Sequence, residues 1–499
     1  MQMQFEKKPV SYLNKVVGQI CSLEQTLELR LPDGMPDIGR VLGAWGQVIL
    51  RGKEWNADTM TVSAGATVWV LYAPENGEEV RSVEGWIPFS MKWELPEGGP
   101  DGKILVSPLL RGVDARCISS RKLMLRATLD MLGEGWVNEE KDLSAPLDVP
   151  DDISLLEKVY PLRLVKEVGE KSFFLEDHRS ISSTLPKPDK ILYYVLQPEI
   201  LEKKVMAGKV VFRGVGCLHL VYRGENGTLC TWDYDLPFSQ YADLQGSYDQ
   251  DAMLVVQPCV TSLDVSLNEN SEVEIKCGLV GQFILSDRTM ISVAEDAYSP
   301  YRVVNPVSED LKFPAILEQF GQNVRGELST QTDVQQIVDV SFYPGYVASE
   351  SCDGGICVPL TGCFQILYYD PDGELRSSMS NWEYEWKVTA DENSKTYVTI
   401  QPSGKPQAMQ GAGSVVLRGD IQVSVMTIAG QGIPALTGLE MEEEKHIDRT
   451  KPNLIVCRKG ENRLWDIAKR NGSTVEAILQ ANELQEEPEC DRVLLVPIV

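Results

Sequence analysis

A chain of 499 residues, 43% apolar and 24% charged, holds enough apolar material for several cores, which excludes a disordered polypeptide. With 47 Lys and Arg against 73 Asp and Glu, the net charge is −26, a surface that repels phosphate backbones and excludes nucleic acid as a natural ligand. No run approaches the roughly 18 consecutive apolar residues of a membrane helix, and the opening MQMQFEKKPV lacks the apolar stretch of a signal peptide, so the expected compartment is the cytoplasm.

The first strong pattern is Ala66-Thr-Val-Trp-Val-Leu-Tyr72-Ala-Pro-Glu-Asn-Gly77. It returns as Gly216-Cys-Leu-His-Leu-Val-Tyr222-Arg-Gly-Glu-Asn-Gly227 and as Gly362-Cys-Phe-Gln-Ile-Leu-Tyr368-Tyr-Asp-Pro-Asp-Gly373. The copies align without a gap, at offsets of 150 and 146 residues, so the repeating unit is a module rather than a solenoid turn. Around them, Ile87-Pro88-Phe89 matches Leu236-Pro237-Phe238, and Ser107-Pro108 matches Gln257-Pro258 and Gln401-Pro402. Upstream, Pro36-Asp37 pairs with Pro188-Asp189.

Each copy reads as antiparallel β. The 66–72 run is apolar on both faces, the mark of a buried strand. The Asn-Gly turns at 76–77 and 226–227 signal hairpins with φ > 0 at both central residues. Thr231-Trp-Asp-Tyr-Asp-Leu-Pro-Phe238 and Asn381-Trp-Glu-Tyr-Glu-Trp-Lys-Val388 alternate apolar and polar residues, as a half-buried strand does. The fold expected is mainly β: three tandem sandwich-like modules over 1–150, 151–300 and 301–438. Between copies the chain is more polar, with a short helix expected from Pro150 through Glu157. An acidic stretch from Leu439 to Pro452 reads as an unpacked linker.

The 11 cysteines are odd in number and scattered, which suits reduced thiols better than a disulfide framework. Cys352, Cys357 and Cys363 lie close in sequence but lack CxxC spacing and a nearby His, so buried strand thiols are expected and no metal.

From Asn453 to Val499 the pattern changes to β-α-α-β. Leu454 to Cys457 is a short strand, and Asn462 is a plausible N-cap. Leu464, Ile467 and Ala468 share one helical face, and Asn471-Gly472 ends that helix. Ser473 with Glu476 forms a capping-box pattern before Val475, Ile478 and Leu479, and Val493 to Pro497 closes as a second strand. This segment resembles a LysM domain through Gly460, Leu464-Trp465-Asp466-Ile467-Ala468-Lys469, Asn471-Gly472-Ser473-Thr474-Val475, Ile478-Leu479, Asn482, Leu484 and Leu494-Leu495-Val496-Pro497. The resemblance implies a small α+β noncatalytic module; many such modules bind N-acetylglucosamine-containing glycans in a cleft between the first strand–helix loop and the second helix–strand loop. Both loops depart here, to Gly460-Glu461-Asn462-Arg463 and to Asp491-Arg492 near the last strand. The binding residues this implies are Gly460, Glu461, Asn462, Arg463, Asn482, Glu483 and Leu484.

Tandem modules with the Tyr…Asn-Gly…Pro-Phe pattern ahead of one LysM-like segment resemble the SPOCS family of spore-coat assembly proteins in endospore-forming Firmicutes. That resemblance covers about residues 15–435. It implies an intracellular scaffold in the mother cell, at the forespore surface, joined through its LysM domain to the coat-base morphogenetic ATPase. The alternative is a peptidoglycan- or GlcNAc-binding envelope protein with LysM as its carbohydrate module.

No catalytic constellation stands out. Of the three histidines, His178, His219 and His446, His219 sits where the other copies carry Trp69 and Gln365, so it is no shared catalytic group. GxSxG, Walker A and HExxH patterns are absent from the sequence. The chain is expected to be no enzyme and to hold no cofactor.

Overall fold

The computed structural model describes residues 4–77, 79–95, 101–346, 350–352, 355–389, 393–411, 413–444, 454–458, 460, 463–488 and 492–499. The first repeat contains β1 (Gln4–Arg30), β2 (Ile38–Asn56), β3 (Thr59–Pro74), β4 (Arg81–Glu94), β5 (Gly102–Ser119) and β6 (Lys122–Leu147). The second contains β7 (Ser154–Arg179), β8 (Pro188–Met206), β9 (Lys209–Gly224), β10 (Leu229–Asp243), β11 (Met253–Leu267) and β12 (Val273–Tyr298). The third contains β13 (Arg302–Thr330), β14 (Gln336–Tyr346), the short β15 (Glu350–Cys352), β16 (Gly355–Tyr369), β17 (Leu375–Thr389), β18 (Ser394–Gln410) and β19 (Val415–Glu444).

One topology serves all three. The outer pair and the fifth strand form one antiparallel sheet, β1-β6-β5, β7-β12-β11 and β13-β19-β18. The inner strands form another, β2-β3-β4, β8-β9-β10 and β14-β16-β17. In each repeat the two sheets meet face to face, β2 against β5, β8 against β11 and β14 against β18. Strand β4 shows how the sequence achieves this: Val83, Ile87, Phe89, Met91 and Trp93 point inward, while Glu84, Pro88, Ser90 and Lys92 face out. Strand β3 is apolar on both faces because it serves two cores. Val68, Val70 and Tyr72 join its own repeat's core, and Trp69 and Leu71 join that of the second repeat.

The repeats close into a ring through matching strands: β4 lies against β8, β10 against β14, and β17 against β2. Two of these seams use the same hydrogen bond. Ser82 Oγ donates to Leu192 O, and Ser377 Oγ donates to Leu42 O. Ser82 and Ser377 sit opposite the equivalent Leu71 and Leu367, so a repeated sequence position makes a repeated contact.

The outer strands run on beyond the sandwiches as three two-stranded ribbons, β1–β6, β7–β12 and β13–β19. Tyr12, Leu143, Leu162, Leu164, Ile291, Val293, Phe313, Ala315, Ile433 and Ala435 form a common core where the ribbons meet. Tyr12 and Phe313 pack edge to face at 5.7 Å. A buried aromatic of this kind contributes roughly 1.5–3 kcal/mol through burial. A lone two-stranded ribbon is marginal in water; three packed together bury one another's apolar faces.

The repeat alignment holds at its landmarks. Tyr72, Tyr222 and Tyr368 end the central strands β3, β9 and β16, opposite Val41, Ile191 and Ile337. Tyr72 donates to Pro36 O at 3.1 Å and Tyr222 to Pro186 O at 3.0 Å, so the partner of Pro36 is Pro186 and not Pro188. Gly77, Gly227 and Gly373 take φ of 74°, 78° and 79°. Their neighbours Asn76, Asn226 and Asp372 do not, so the turns are not the expected two-residue Asn-Gly type. At 224–228 and 370–374 the backbone bonds Gly224 N to Thr228 O and Asp370 N to Glu374 O define a three-residue loop closed by a left-handed glycine. The turn with φ > 0 at both centres occurs at Ala207-Gly208.

Four further expectations are corrected. Residues 154–157 begin β7 rather than extend a helix, because Leu155 and Leu156 pair with the end of β12. The supposed linker is strand over 439–444: Leu439 is 1% exposed in a cluster with Ile153, Ala294, Ala297 and Leu436. A single buried leucine outweighs the acidic run that follows it; residues 445–453 lie outside the described residues. Cys352 and Cys357 form a disulfide, brought to a Cα separation of 5.8 Å by the β15–β16 hairpin, whereas Cys363 is a buried free thiol.

The fourth concerns the tail, where β20 (Leu454–Arg458), α1 (Leu464–Asn471), α2 (Val475–Ala481) and β21 (Val493–Pro497) follow in the order read from the sequence. Strands β20 and β21 pair antiparallel. Gly472, at φ 63°, caps α1 and donates to Ala468 O. The caps shift by one residue. Arg463 is the N-cap of α1, while Thr474 caps α2, accepting from Ala477 N at 3.0 Å. Ser473 is instead fully buried.

Candidate functional sites

Two regions gather chemistry-bearing groups: the loop edge of the tail, and the axis of the ring.

On the tail, one contact joins the start of α1 to the segment after α2. Glu487, from that segment, accepts from the backbone N–H of Leu464 at 2.9 Å, satisfying an amide at the start of α1. Among the expected residues, Arg463 is exposed and its Nε lies 3.4 Å from Asp466 Oδ2. Gly460 and Glu483 are exposed, and Glu483 takes φ 56°. Asn482 has a different job. Its amide donates to Ile478 O and Leu495 O at 2.7 Å each, and its Oδ1 accepts from Leu495 N at 2.9 Å, which ties α2 to β21. Leu484 packs on the tail core. Asn482 and Leu484 therefore build the edge, and Gly460, Arg463 and Glu483 present it. Glu461 and Asn462 lie outside the described residues.

The tail is also held to the head. Trp465 Nε1 donates to Asp296 Oδ2 at 2.9 Å, Lys469 Nζ reaches both Asp296 oxygens at 2.7–2.8 Å, and Tyr298 packs edge to face on Trp465 at 4.7 Å. Burial raises the pKa of Asp296, but Lys469 and Trp465 outweigh it and leave the carboxyl below its usual value. Trp465 was legible as a helix residue of the tail; that its partner would be Asp296, 169 residues earlier, was not.

At the ring axis a cavity of about 300 Å³ is lined by all three repeats. Its walls include Pro108 and Pro258, which sit at equivalent positions opposite Met131 and Gly281; in the third repeat that position, opposite Val423, is Ile400, and Pro402 of the expected match lies two residues away, opposite Ile421. Nearby, Ser107 Oγ donates to Gln257 Oε1 at 2.9 Å, joining equivalent positions of two repeats. On the rim His219 bridges two carboxylates. Its Nδ1 is 2.7 Å from Asp233 Oδ1 on β10, and its Nε2 is 2.8 Å from Asp339 Oδ1 on β14. Tyr193 donates to the other Asp339 oxygen, and Lys405 pairs with Asp233. The cavity thiols Cys217 and Cys259 are pushed up to about 12 by burial, which keeps them protonated and poor nucleophiles. His219 carried no signal in the sequence beyond its variability between repeats, because its partner Asp339 lies in another repeat.

Elsewhere Asp249, Asp251 and Asp287 bring carboxylate oxygens within 4.8 Å of one another. Asp287 accepts backbone N–H bonds from Asp249 and Arg288, so local hydrogen bonding accounts for part of the arrangement. No helix among the described residues is long and apolar enough to cross a membrane.

Residues 187–268 match the family model described as SipL, SPOCS domain. The match spans β8 to β11, the whole inner sheet of the second repeat and the first strand of its return. No curated protein matches the chain. The second repeat is thus similar, over this segment, to a SPOCS domain.

Proposed function

We propose that this protein is a noncatalytic intracellular scaffold of spore-coat assembly, working in the mother cell at the forespore surface. The match of residues 187–268 to the SPOCS domain carries the reading. The three repeats supply a rigid head, and the LysM-like tail joins it to a protein partner, the coat-base morphogenetic ATPase. Gly460, Arg463 and Glu483 are exposed on the tail's loops, with Glu486 and Glu487 exposed nearby. A mixed-charge edge of this kind steers and orients a protein partner, whereas charged groups facing a neutral acetamido sugar lose hydration without gaining a counter-charge.

The test is localisation. A fluorescent fusion of the full chain should form a shell around the forespore during sporulation, and truncation at Asn453 should disperse it. A fusion that stays diffuse in sporulating cells, or that collects at the outer envelope, argues against the scaffold and for the glycan-binding alternative.

A further inference from the structure

The three seams of the ring are alike in position and unlike in chemistry. The first–second and third–first seams use the neutral bonds from Ser82 and Ser377 to backbone carbonyls. At the equivalent place the second repeat has Thr231, opposite Val221, and the second–third seam is held instead by an ion-pair cluster that includes a histidine. One repeat position, opposite Leu71, Val221 and Leu367, holds Gly43, Tyr193 and Asp339 in turn. Two of these, Tyr193 and Asp339, hydrogen-bond to each other across the ring. The third repeat adds a longer bulge. Strand β18 shifts register between Ser403 and Gln407, whereas the matching irregularities in β5 and β11 span only Leu110 to Gly112 and Val260 to Ser262. That bulge carries Lys405 to Asp233 and the Gly404 amide to Glu199, both in the second repeat.

We propose that the second–third seam is a releasable clasp, in which His219 bridging Asp233 and Asp339 holds the two repeats together beside the axial cavity. The groups facing His219 are Asp233 and Asp235 from β10, Asp339 from β14, Tyr193 from β8, Lys405 from β18 and Cys217 from its own strand. With Asp339 only 3% exposed at its side chain, loss of charge on the ring leaves a buried carboxylate without its cation. The ion pairs at the other two seams, Arg223 with Glu79 and Arg40 with Glu374, use guanidinium groups that keep their charge over this range, so release is confined to one side of the ring.

Burial disfavours charge on His219, yet Asp339 and Asp233 outweigh it and hold its pKa up at about 9, against 6.5 for a free ring. Asp233, despite burial, is held down to about 2 by His219 and Lys405. The raised pKa makes the sign definite: the proton on His219 contributes to closure in full below pH 6.5, and that contribution is lost as pH rises through about 9.

Cys259 is 6% exposed and lines the cavity, while Cys277 is 2% exposed in the core of the second repeat. Native-state thiol labelling of the full chain with methyl methanethiosulfonate, each rate divided by that of the denatured chain at the same pH, reads opening directly. From pH 6 to pH 10 the labelling of Cys259 relative to Cys277 should rise by up to ~300-fold. His219→Gln should show the raised ratio already at pH 6, with a flat profile. Lys405→Ala changes a half-exposed side chain and should raise the ratio severalfold at neutral pH. Parallel labelling of Cys259 and Cys277 at every pH, or an unchanged ratio in the Lys405→Ala protein, would overturn the clasp. So would a wild-type pH profile in His219→Gln.

Discussion

Head and tail bury apolar surface by opposite means. The head uses long strands that serve two cores at once, as β3 does with Val68 and Val70 on one side and Trp69 and Leu71 on the other. Its polar groups are committed too: Lys15 and Glu134 form an ion pair with side chains only 2% and 4% exposed. The tail has two short helices and two five-residue strands around Leu464, Ile467, Ala468, Ile478, Leu494 and Val496. It meets the second repeat through Asp296, which bonds Trp465 and Lys469, and through Tyr298 and Leu156, which pack on the tail core. The head is therefore expected to unfold as one body and to keep its fold when the tail is removed.

The largest effect should come from breaking the head's buried pair. Lys15→Met leaves Glu134 buried without its cation, and should cost about 3–5 kcal/mol in denaturant unfolding. Signals from all three repeats should shift together, because Lys15 also lies 3.7 Å from the ring of Tyr397 in the third. The double variant Lys15→Met, Glu134→Leu should recover most of the loss. Separate transitions for separate repeats would contradict a shared core.

A smaller, local effect is expected at the junction. Asp296→Asn should cost about 1–3 kcal/mol in docking, through weakened bonds to Lys469 and Trp465, and hydrogen exchange should speed up in α1 while β3, β9 and β16 keep their protection. Because the folded carboxyl lies below its ordinary value of 3.8, docking is intact above that pH and weakens as pH falls below it. The smallest effect belongs to the cap: Thr474→Ala removes the bond to Ala477 N and should cost about 1 kcal/mol, seen as faster exchange in α2 alone.

Periodicity made the repeats legible, since Tyr72, Tyr222 and Tyr368 and the three glycines mark equivalent points that the structure superimposes in register. The order of elements in the tail was legible from its 3.6-residue stripes. Cap positions slipped by one residue because Ser473 and Thr474 are chemically interchangeable as caps, and only burial decides between them. Ring closure was hidden, because alternation tells which face is apolar and not what covers it. The partners of His219 were hidden for the same reason: it was legible as a position that differs between repeats, while Asp339, which it meets across the seam, lies in another repeat. Asn482 looked like a binding residue by position, and its three bonds to Ile478 and Leu495 show a structural pin.

The division of labour between head and tail is tested most directly by binding. The full chain and its Arg463→Glu variant should be titrated against the coat-base ATPase, chitin oligomers and peptidoglycan, with unfolding curves recorded in parallel. Arg463 is exposed and its substitution should leave unfolding of the head unchanged. The account predicts saturable binding of the ATPase by the wild-type chain, at least tenfold weaker in the variant, with no saturable glycan binding. Tight glycan binding without ATPase binding, or ATPase binding that is indifferent to Arg463→Glu and to truncation at Asn453, would contradict it.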